Sequence, residues 1–359
     1  MAGSKRLDRF LYEKEKPFLT RLLLLPLYLL SVPYGLVVKA RNQAYEARLL
    51  SRKRLPCPVL SIGNLTVGGT GKTPLTMAVA ERLSREGISV AILSRGYKRK
   101  GAKEAVVSDG REILLGPKEA GDEPYLMARS LKGIPVLVGK DRFQTGRLAL
   151  ERFSVRGLLL DDGFQHQRLW RDLDILLLDS RFGFGDGHLL PRGPLREPLS
   201  GIRRAHIVVL TKVEERANGH ALENVIRRFC PRVELYHSYY EPTGLVGPGG
   251  EWEELSVLRG KKVFALSGVA DPHYFFSLLR RSGALICGEA IFPDHHSYRT
   301  SDLTCLDEKV RKYDYLVTTE KDMVKLEYLG PSPVPLRALR VEMRLYEETS
   351  FYERIMSLW

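Results

Sequence analysis

The chain has 359 residues, 44% hydrophobic and 28% charged, a globular balance that argues against a disordered or fibrous polymer. Its net charge of +13 implies an acidic partner: nucleic acid, anionic lipid or a phosphorylated substrate. Cys57, Cys230, Cys287 and Cys305 form no Cys-x-x-Cys pair, which argues against a disulfide framework or zinc site and fits a reducing compartment.

A chain of this length suggests about two domains. Residues 1–54 hold 12 Lys/Arg against 4 Asp/Glu, so the basic excess gathers at the N-terminus. Within it, residues 22–38 (LLLLPLYLLSVPYGLVV) carry no charge and are bracketed by Arg21 and Lys39. A full membrane span needs roughly 20 apolar residues. This run is slightly short and holds Pro26 and Pro33, so a kinked or interfacial segment competes with a span. A membrane anchor is favoured by the flanking charges and by Tyr28 and Tyr34. The competing reading is a buried core helix; a cleaved signal lacks its small-residue site. Residues 39–55 read as a basic amphipathic helix carrying Arg41, Arg48, Arg52, Lys53 and Arg54.

Next comes a short apolar strand, Val59–Ile62, a glycine-rich loop ending Gly71-Lys72-Thr73, and a helical pattern over 74–85. Strand, loop and helix form a phosphate cradle, because loop and helix N-terminal N–H groups converge on an anion. Lys72 would reach the β- and γ-phosphates and the Thr73 hydroxyl would hold Mg²⁺. The pattern G-x-x-x-x-G-K-[ST] asks for glycine where this chain has Thr66, and a second P-loop class asks for lysine where it has Val67. Strand candidates then alternate with helices: Val90–Ser94, Val136–Val138, Leu158–Asp161, Ile175–Asp179 and Ile207–Thr211, with helices near 122–131 and 141–152. The fold class is α/β, a mostly parallel sheet covered on both faces, with ligands beyond the strands' C-terminal ends. Glycines and prolines over 241–250 mark a linker to a second, smaller α/β pattern. The expected division is 1–54, 55–240 and 241–359.

Several groups carry chemistry. Asp161 and Asp162 end an apolar strand, where a P-loop enzyme needs an acid for Mg²⁺. Neighbouring strand residues point to opposite faces, so the two acids are not expected to act alike unless the loop breaks that geometry. Asp122, in Gly-Asp-Glu-Pro, suits either a helix N-cap or a base for an attacking hydroxyl. Pro293-Asp294-His295-His296 offers a tuned histidine or a structural one. Arg95 sits in a basic loop at a strand end and Arg142 opens a helix, either suited to phosphate, and Arg196 and Glu197 sit in a proline-stiffened loop. Thr318-Thr319-Glu320-Lys321-Asp322 reads as a capped strand end.

Taken in order, GNLTVGGTGKTP, LSRGYKR, GDEP, LDDGFQH, LPRGPLREP, PDHH and TTEKD, behind an apolar N-terminal segment, closely resemble the tetraacyldisaccharide 4′-kinases of lipid A biosynthesis, over about residues 20–325. The resemblance implies a P-loop fold and transfer of the ATP γ-phosphate to the 4′-hydroxyl of a tetraacylated glucosamine disaccharide 1-phosphate. It implies work at the cytoplasmic face of a bacterial inner membrane, as a peripheral or singly anchored protein. ATP and Mg²⁺ are the implied cofactors, with no nucleic-acid partner and no obligate protein partner. By motif, residues Thr66, Val67, Gly68, Gly69, Thr70, Gly71, Lys72 and Thr73 take the nucleotide. Asp122 looks like the base and His295 its partner. Lys72 and Arg142 join them as catalytic groups. Thr73, Asp161, Asp162 and Gln165 look like metal-site residues, with Glu197 a weaker addition. Arg95 and Arg196 face phosphate or substrate. The competing reading is a P-loop GTPase or ATPase of the insertion and maturation type. Its base-reading loop is approached by Leu210-Thr211-Lys212-Val213-Glu214, which ends in Glu rather than Asp.

Overall fold

The computed structural model describes residues 17–97, 99, 101, 103–214 and 220–359. Two helices open it, α1 (Phe18–Leu23) and α2 (Leu25–Glu46). Pro26 sits in the first turn of α2, where its missing N–H would be unpaired anyway. The helix stops at Glu46 because Arg48 turns left-handed at φ 59°. The basic helix expected over 39–55 is therefore corrected: residues 47–55 are turn and bridge, with Lys53 paired to Leu169.

The first half continues with β1 (Val59–Asn64), α3 (Lys72–Arg85), β2 (Val90–Ser94), β3 (Ala105–Ser108), α4 (Pro117–Ala120), α5 (Asp122–Ser130), β4 (Val136–Val138), α6 (Arg142–Arg152), β5 (Gly157–Asp161), β6 (Leu173–Asp179), β7 (Ile207–Thr211) and α7 (His220–Phe229). The second holds β8 (Glu234–Val246), β9 (Trp252–Glu253), β10 (Lys262–Ser267), α8 (Pro272–Arg281), β11 (Leu285–Ile291), α9 (Thr300–Val310), β12 (Tyr315–Thr319), α10 (Glu320–Leu326), β13 (Leu336–Leu345) and α11 (Glu348–Met356).

All strands join one sheet in the order β11-β10-β12-β13-β8-β7-β6-β1-β5-β2-β4-β3, with β9 on β8. Pairing is parallel except for β3 on β4, β13 on β8 and β9 on β8. Strand β1 is central and wholly buried. One face of α3 seals it, with Leu75, Val79, Ala80 and Leu83 inaccessible to solvent. Each such Leu or Val contributes about 1.5–3 kcal/mol of burial.

Strand β8 changes the reading of the linker. Glu234–His237 pair with β7, and Ser238–Val246 with β13, so the sheet crosses residue 240 unbroken. The glycines and prolines of 241–250 misled for a physical reason. A Cβ on Gly244 would strike the Trp252 ring, and Pro242 lies at a register shift, where a missing donor is tolerated.

Helix α2 is amphipathic the wrong way round for a core helix. It buries Ser31, Gly35 and Val38, while Leu29, Leu36 and Val37 stay more than 60% exposed. Gly35 is needed on the inner side, where a Cβ would come within 2.7 Å of Leu189. Among the described residues, no helix is long and apolar enough to cross a membrane.

Candidate active site

The phosphate loop runs from Asn64 to Gly71 between β1 and α3. Left-handed backbone falls at Gly68 (φ 103°) and Gly71 (φ 90°), and a Cβ on Gly71 would collide with the Tyr240 hydroxyl and Met343. Thr66 has no such need. It is buried, bridges antiparallel to Leu195, and the N–H of Val67 donates to the Pro194 carbonyl at 2.8 Å. The backbone at 66 is thus part of a short ladder onto the 189–197 loop, in a conformation that does not require glycine. Asn64 and Thr211 brace the loop from below, through Thr70 Oγ1 (2.9 Å) and the Thr70 carbonyl (3.0 Å).

Asp161 and Asp162 face this loop with different surroundings. Asp161 ends β5 and is fully enclosed. Its carboxylate accepts from Ser94 at 3.1 Å, Thr73 at 3.4 Å and Thr76 at 3.5 Å. Burial, then the negative charges of Glu123 and Asp162, push its pKa up. Asp162 takes the left-handed φ of 53°, which breaks the strand alternation and turns its carboxylate toward cations. Burial opposes its ionisation, but Lys72 at 3.9 Å and Arg196 at 2.9 Å hold it down at about 2. Adjacent acids therefore do separate work, one closing on hydroxyls and one on cations.

Arg196, Gln165 and Glu197 extend the network away from the loop. Arg196 Nη1 donates to both oxygens of Asp162, and Gln165 Nε2 to the Asn64 carbonyl and to Glu197. Glu197 is fully buried, and its oxygens accept from Arg204 (2.7 and 2.8 Å), Asn42 (3.0 Å) and Gln165 (2.9 Å). Here Glu197 ties α2 to the site, and it does not line the cleft as Asp161, Asp162 and Gln165 do. Among the described residues, no three His, Cys, Asp or Glu side chains gather as a metal-binding cluster. A nucleotide-borne Mg²⁺ needs no such cluster, since waters and phosphate oxygens complete its shell around one or two carboxylates. The Thr73 hydroxyl beside Asp161, with charge raised against it, fits that requirement.

Across the cleft stands a second group, drawn from three distant segments. Asp122 starts α5 directly after Gly121 (φ 93°). Its Oδ2 lies 3.5 Å from His295 Nδ1 and 3.6 Å from Lys325 Nζ. Burial works against its charge, but the His295 hydrogen bond and Lys325 win and hold its pKa below the ordinary carboxylate value. His295 (φ 57°) meets the edge of Tyr97 at 5.2 Å. His295 and Glu123 line the cleft wall, and Asp122 stands just behind with 22% side-chain exposure. His296 turns away: it bonds Asp302 at 3.1 Å and stacks on Phe292, so the two histidines do not share an ion.

The cleft between these groups encloses about 1170 Å³. Arg95, Arg142, Lys72 and Thr73 line it, as do Tyr34, Val37, Val38 and Arg41 of α2. Arg142 is 3% exposed, and its Nη1 donates to the Gly139 carbonyl while Nε has no protein partner. Burial lowers it to about 10, so a buried cation faces the cleft. Lys212 follows β7 but is committed to Asp179 (2.7 Å) and Asp271 (3.0 Å).

Sequence reasoning missed Ser94, Thr76, Asn42, Lys321 and Lys325. Lys321 and Lys325 were within reach, because their spacing of four places both on one face of a helix. Thr319 does cap α10, accepting from Asp322 N at 3.1 Å, so the capped-end reading of TTEKD holds beside its placement at the site.

Comparison with known proteins places the chain in a family. A family model described as tetraacyldisaccharide-1-P 4′-kinase matches residues 21–359. The tetraacyldisaccharide 4′-kinase of Syntrophus aciditrophicus is 42% identical over 343 residues, 91% of each chain. That of Geobacter sulfurreducens is 43% identical over 312 residues, 87% of this chain and 86% of its own. A crystal structure of the apo form of LpxK from Aquifex aeolicus in complex with ATP superposes with a TM-score of 0.76 at 36% identity, covering 94% of this chain and 99% of that one. With a family model over nearly its whole length and relatives above 40% identity, the chain belongs to the tetraacyldisaccharide-1-P 4′-kinase family.

Proposed function

We propose that this chain transfers the γ-phosphate of ATP to the 4′-hydroxyl of a tetraacylated glucosamine disaccharide 1-phosphate. One observation carries the reading furthest. Helix α2 lends Tyr34, Val37, Val38 and Arg41 to the cleft that holds Lys72 and His295, while its other side presents exposed leucines. An acceptor with a sugar head and acyl tails suits a cleft built against such a helix. The family membership and the ATP complex of the Aquifex aeolicus relative support the same reading.

In this reading the loop from 66 to 73 cradles the ATP phosphates and Lys72 meets the transferred group. Arg142 and Arg95 meet charge developing on the phosphoryl oxygens. Thr73, Asp161 and Asp162, with Gln165 close by, would hold Mg²⁺. Held there, it would supply positive charge to offset that of the phosphates. Asp122, kept ionised by His295 and Lys325, takes the proton of the acceptor hydroxyl. Arg196 has a first duty to Asp162 and meets substrate only from its remaining donors. The exposed face of α2 lies in the cytoplasmic leaflet of the bacterial inner membrane without spanning it. The second half, with α10 and the 293–296 loop, closes over the acceptor and sheds water.

The test is incubation of the full chain with γ-labelled ATP and the tetraacyl disaccharide 1-phosphate. Label appears in the lipid; label released only as inorganic phosphate, with or without lipid, favours the GTPase or ATPase reading. Flotation with anionic vesicles tests the membrane part: Leu29→Glu with Leu36→Glu reduces binding, and unchanged flotation removes it.

A further inference from the structure

His295 and Lys321 belong to the second half of the chain and the phosphate loop to the first, so the span between them must be set by a contact that joins the halves. The loop after β10, residues 267–271, is placed to set it. On one side it holds both second-half segments of the acceptor wall. The Ser267 carbonyl accepts from Phe292 N at 2.8 Å, at the start of the loop that carries His295. Gly268 N donates to Asp322 Oδ2 at 2.8 Å, on α10 beside Lys321. The approach at Gly268 is close, since a Cβ there would come within 2.5 Å of the Tyr298 hydroxyl.

On its other side the same loop meets the first half. Ala270 lies 3.4 Å from where a Cβ on Gly69 of the phosphate loop would stand. Asp271 enters a buried charge cluster at the ends of β6 and β7. Its Oδ2 is 3.0 Å from Lys212 Nζ and also accepts from Arg181 Nη2. Lys212 Nζ is 2.7 Å from Asp179 Oδ2 as well, so one ammonium bridges an acid from each half. Lys212 takes a φ of 59°, uncommon for a residue with a Cβ, and directly follows Thr211, whose hydroxyl braces the Thr70 carbonyl. The Tyr274 ring covers the cluster, 4.5 Å from Arg181 Cζ and 5.3 Å from Lys212 Nζ. Burial disfavours the charge on Asp271, but Lys212 and Arg181 outweigh it and hold its pKa below the ordinary carboxylate value.

A buried ion cluster adds little net stability, because desolvation offsets its attraction, and registry is its best-attested use. We propose that Asp271 is a positioning residue: gripped by Lys212 and Arg181, it keeps the 267–271 loop in register with the phosphate loop, and so fixes the span from Lys72 to the His295 loop and α10. Lys212, which its sequence context likens to a base-reading loop, serves here as the grip of the first half. This inference rests on the kinase reading above.

Asp271→Asn in the full chain tests it, because asparagine still caps α8 at Tyr274 N while losing the charge. At saturating disaccharide kcat falls about 10–10²-fold, the cost of a displacement of about 1 Å, with KM for ATP held within about twofold. Asp271→Glu keeps the charge and recovers part of the rate. Spin labels on the exposed Cys287 of β11 and on Glu151→Cys of α6, with the other cysteines as serine, report the span itself without substrate. Their distance distribution broadens in Asp271→Asn. An unchanged distribution overturns the proposal whatever the rate, and so does a loss confined to KM for ATP, which marks a nucleotide contact instead. If Asp271→Asn does not fold, Lys212→Gln releases the same tie from the first half and is read by the same two measurements. A wild type that transfers no phosphate to the disaccharide sinks the kinase reading instead, while the label distances still decide the register.

Discussion

The two walls of the cleft are built on opposite principles. The Lys72 wall is local: one strand, one loop and one helix, with both φ-positive glycines inside six residues of Lys72. The Asp122 wall joins α5, the 293–296 loop and α10, three segments far apart along the chain that meet only in the folded protein. Contacts between α5 and residues 321–328, α10 and the turn after it, recur along that seam: Arg129 to Glu327 at 2.5 Å, Tyr125 to Tyr328 at 2.8 Å and Lys321 to Glu123 at 3.2 Å. The contrast teaches that binding a phosphate needs only backbone geometry, while accepting a proton needs charges placed from several sides. The first wall can stay rigid through turnover. The second has its partners on both halves, so its charges are placed only where the two halves pack together.

Asp122→Ala breaks the second wall and has the largest expected effect, a fall in kcat of about 10²–10⁴-fold with ATP still bound. Single-turnover transfer to lipid, alongside equilibrium ATP binding, checks it; near-normal turnover removes the base assignment.

Gly71→Ala strikes the first wall. Left-handed backbone and the collision with Tyr240 and Met343 together cost about 1–3 kcal/mol, read by urea unfolding, with a parallel loss of ATP affinity. Unchanged stability would show the loop to be less constrained than its geometry.

Asp162 gives a pH signature of smaller size. Its folded pKa of about 2 lies below the ordinary 3.8, so its stabilisation is complete above 3.8 and is lost as pH falls toward 2. Asp162→Asn flattens the decline of unfolding free energy on acidification through that window; an unaltered slope would assign the acid sensitivity elsewhere.

Thr66→Gly has the smallest expected effect, about 0.5–1 kcal/mol of destabilisation and no gain in ATP binding. Tighter nucleotide binding by that variant would contradict the account of Thr66 as a ladder residue.

Much of the first wall was legible in the chain. Apolar runs placed β1, β2, β4, β5 and β7 within a residue or two, because buried parallel strands read as continuous hydrophobic stretches. Strand β8 was not legible. It is half-exposed, carries Pro242 and Gly244, and draws its stability from β7 on one stretch and β13 on the next. The helix expected over 39–55 went astray because composition shows charge spacing but not the left-handed turn at Arg48.

The sequence by itself determined the phosphate loop, its strand and helix, and the family resemblance, since each depends on residues adjacent along the chain. Only the tertiary structure decided that the pKa values of Asp161 and Asp162 are pushed in opposite directions, because burial and the reach of Arg196 are properties of the packed whole. It alone decided that Glu197 is enclosed by Arg204, Asn42 and Gln165. Electrostatic roles follow distance and burial in three dimensions, and neither is written in the spacing of residues along a chain.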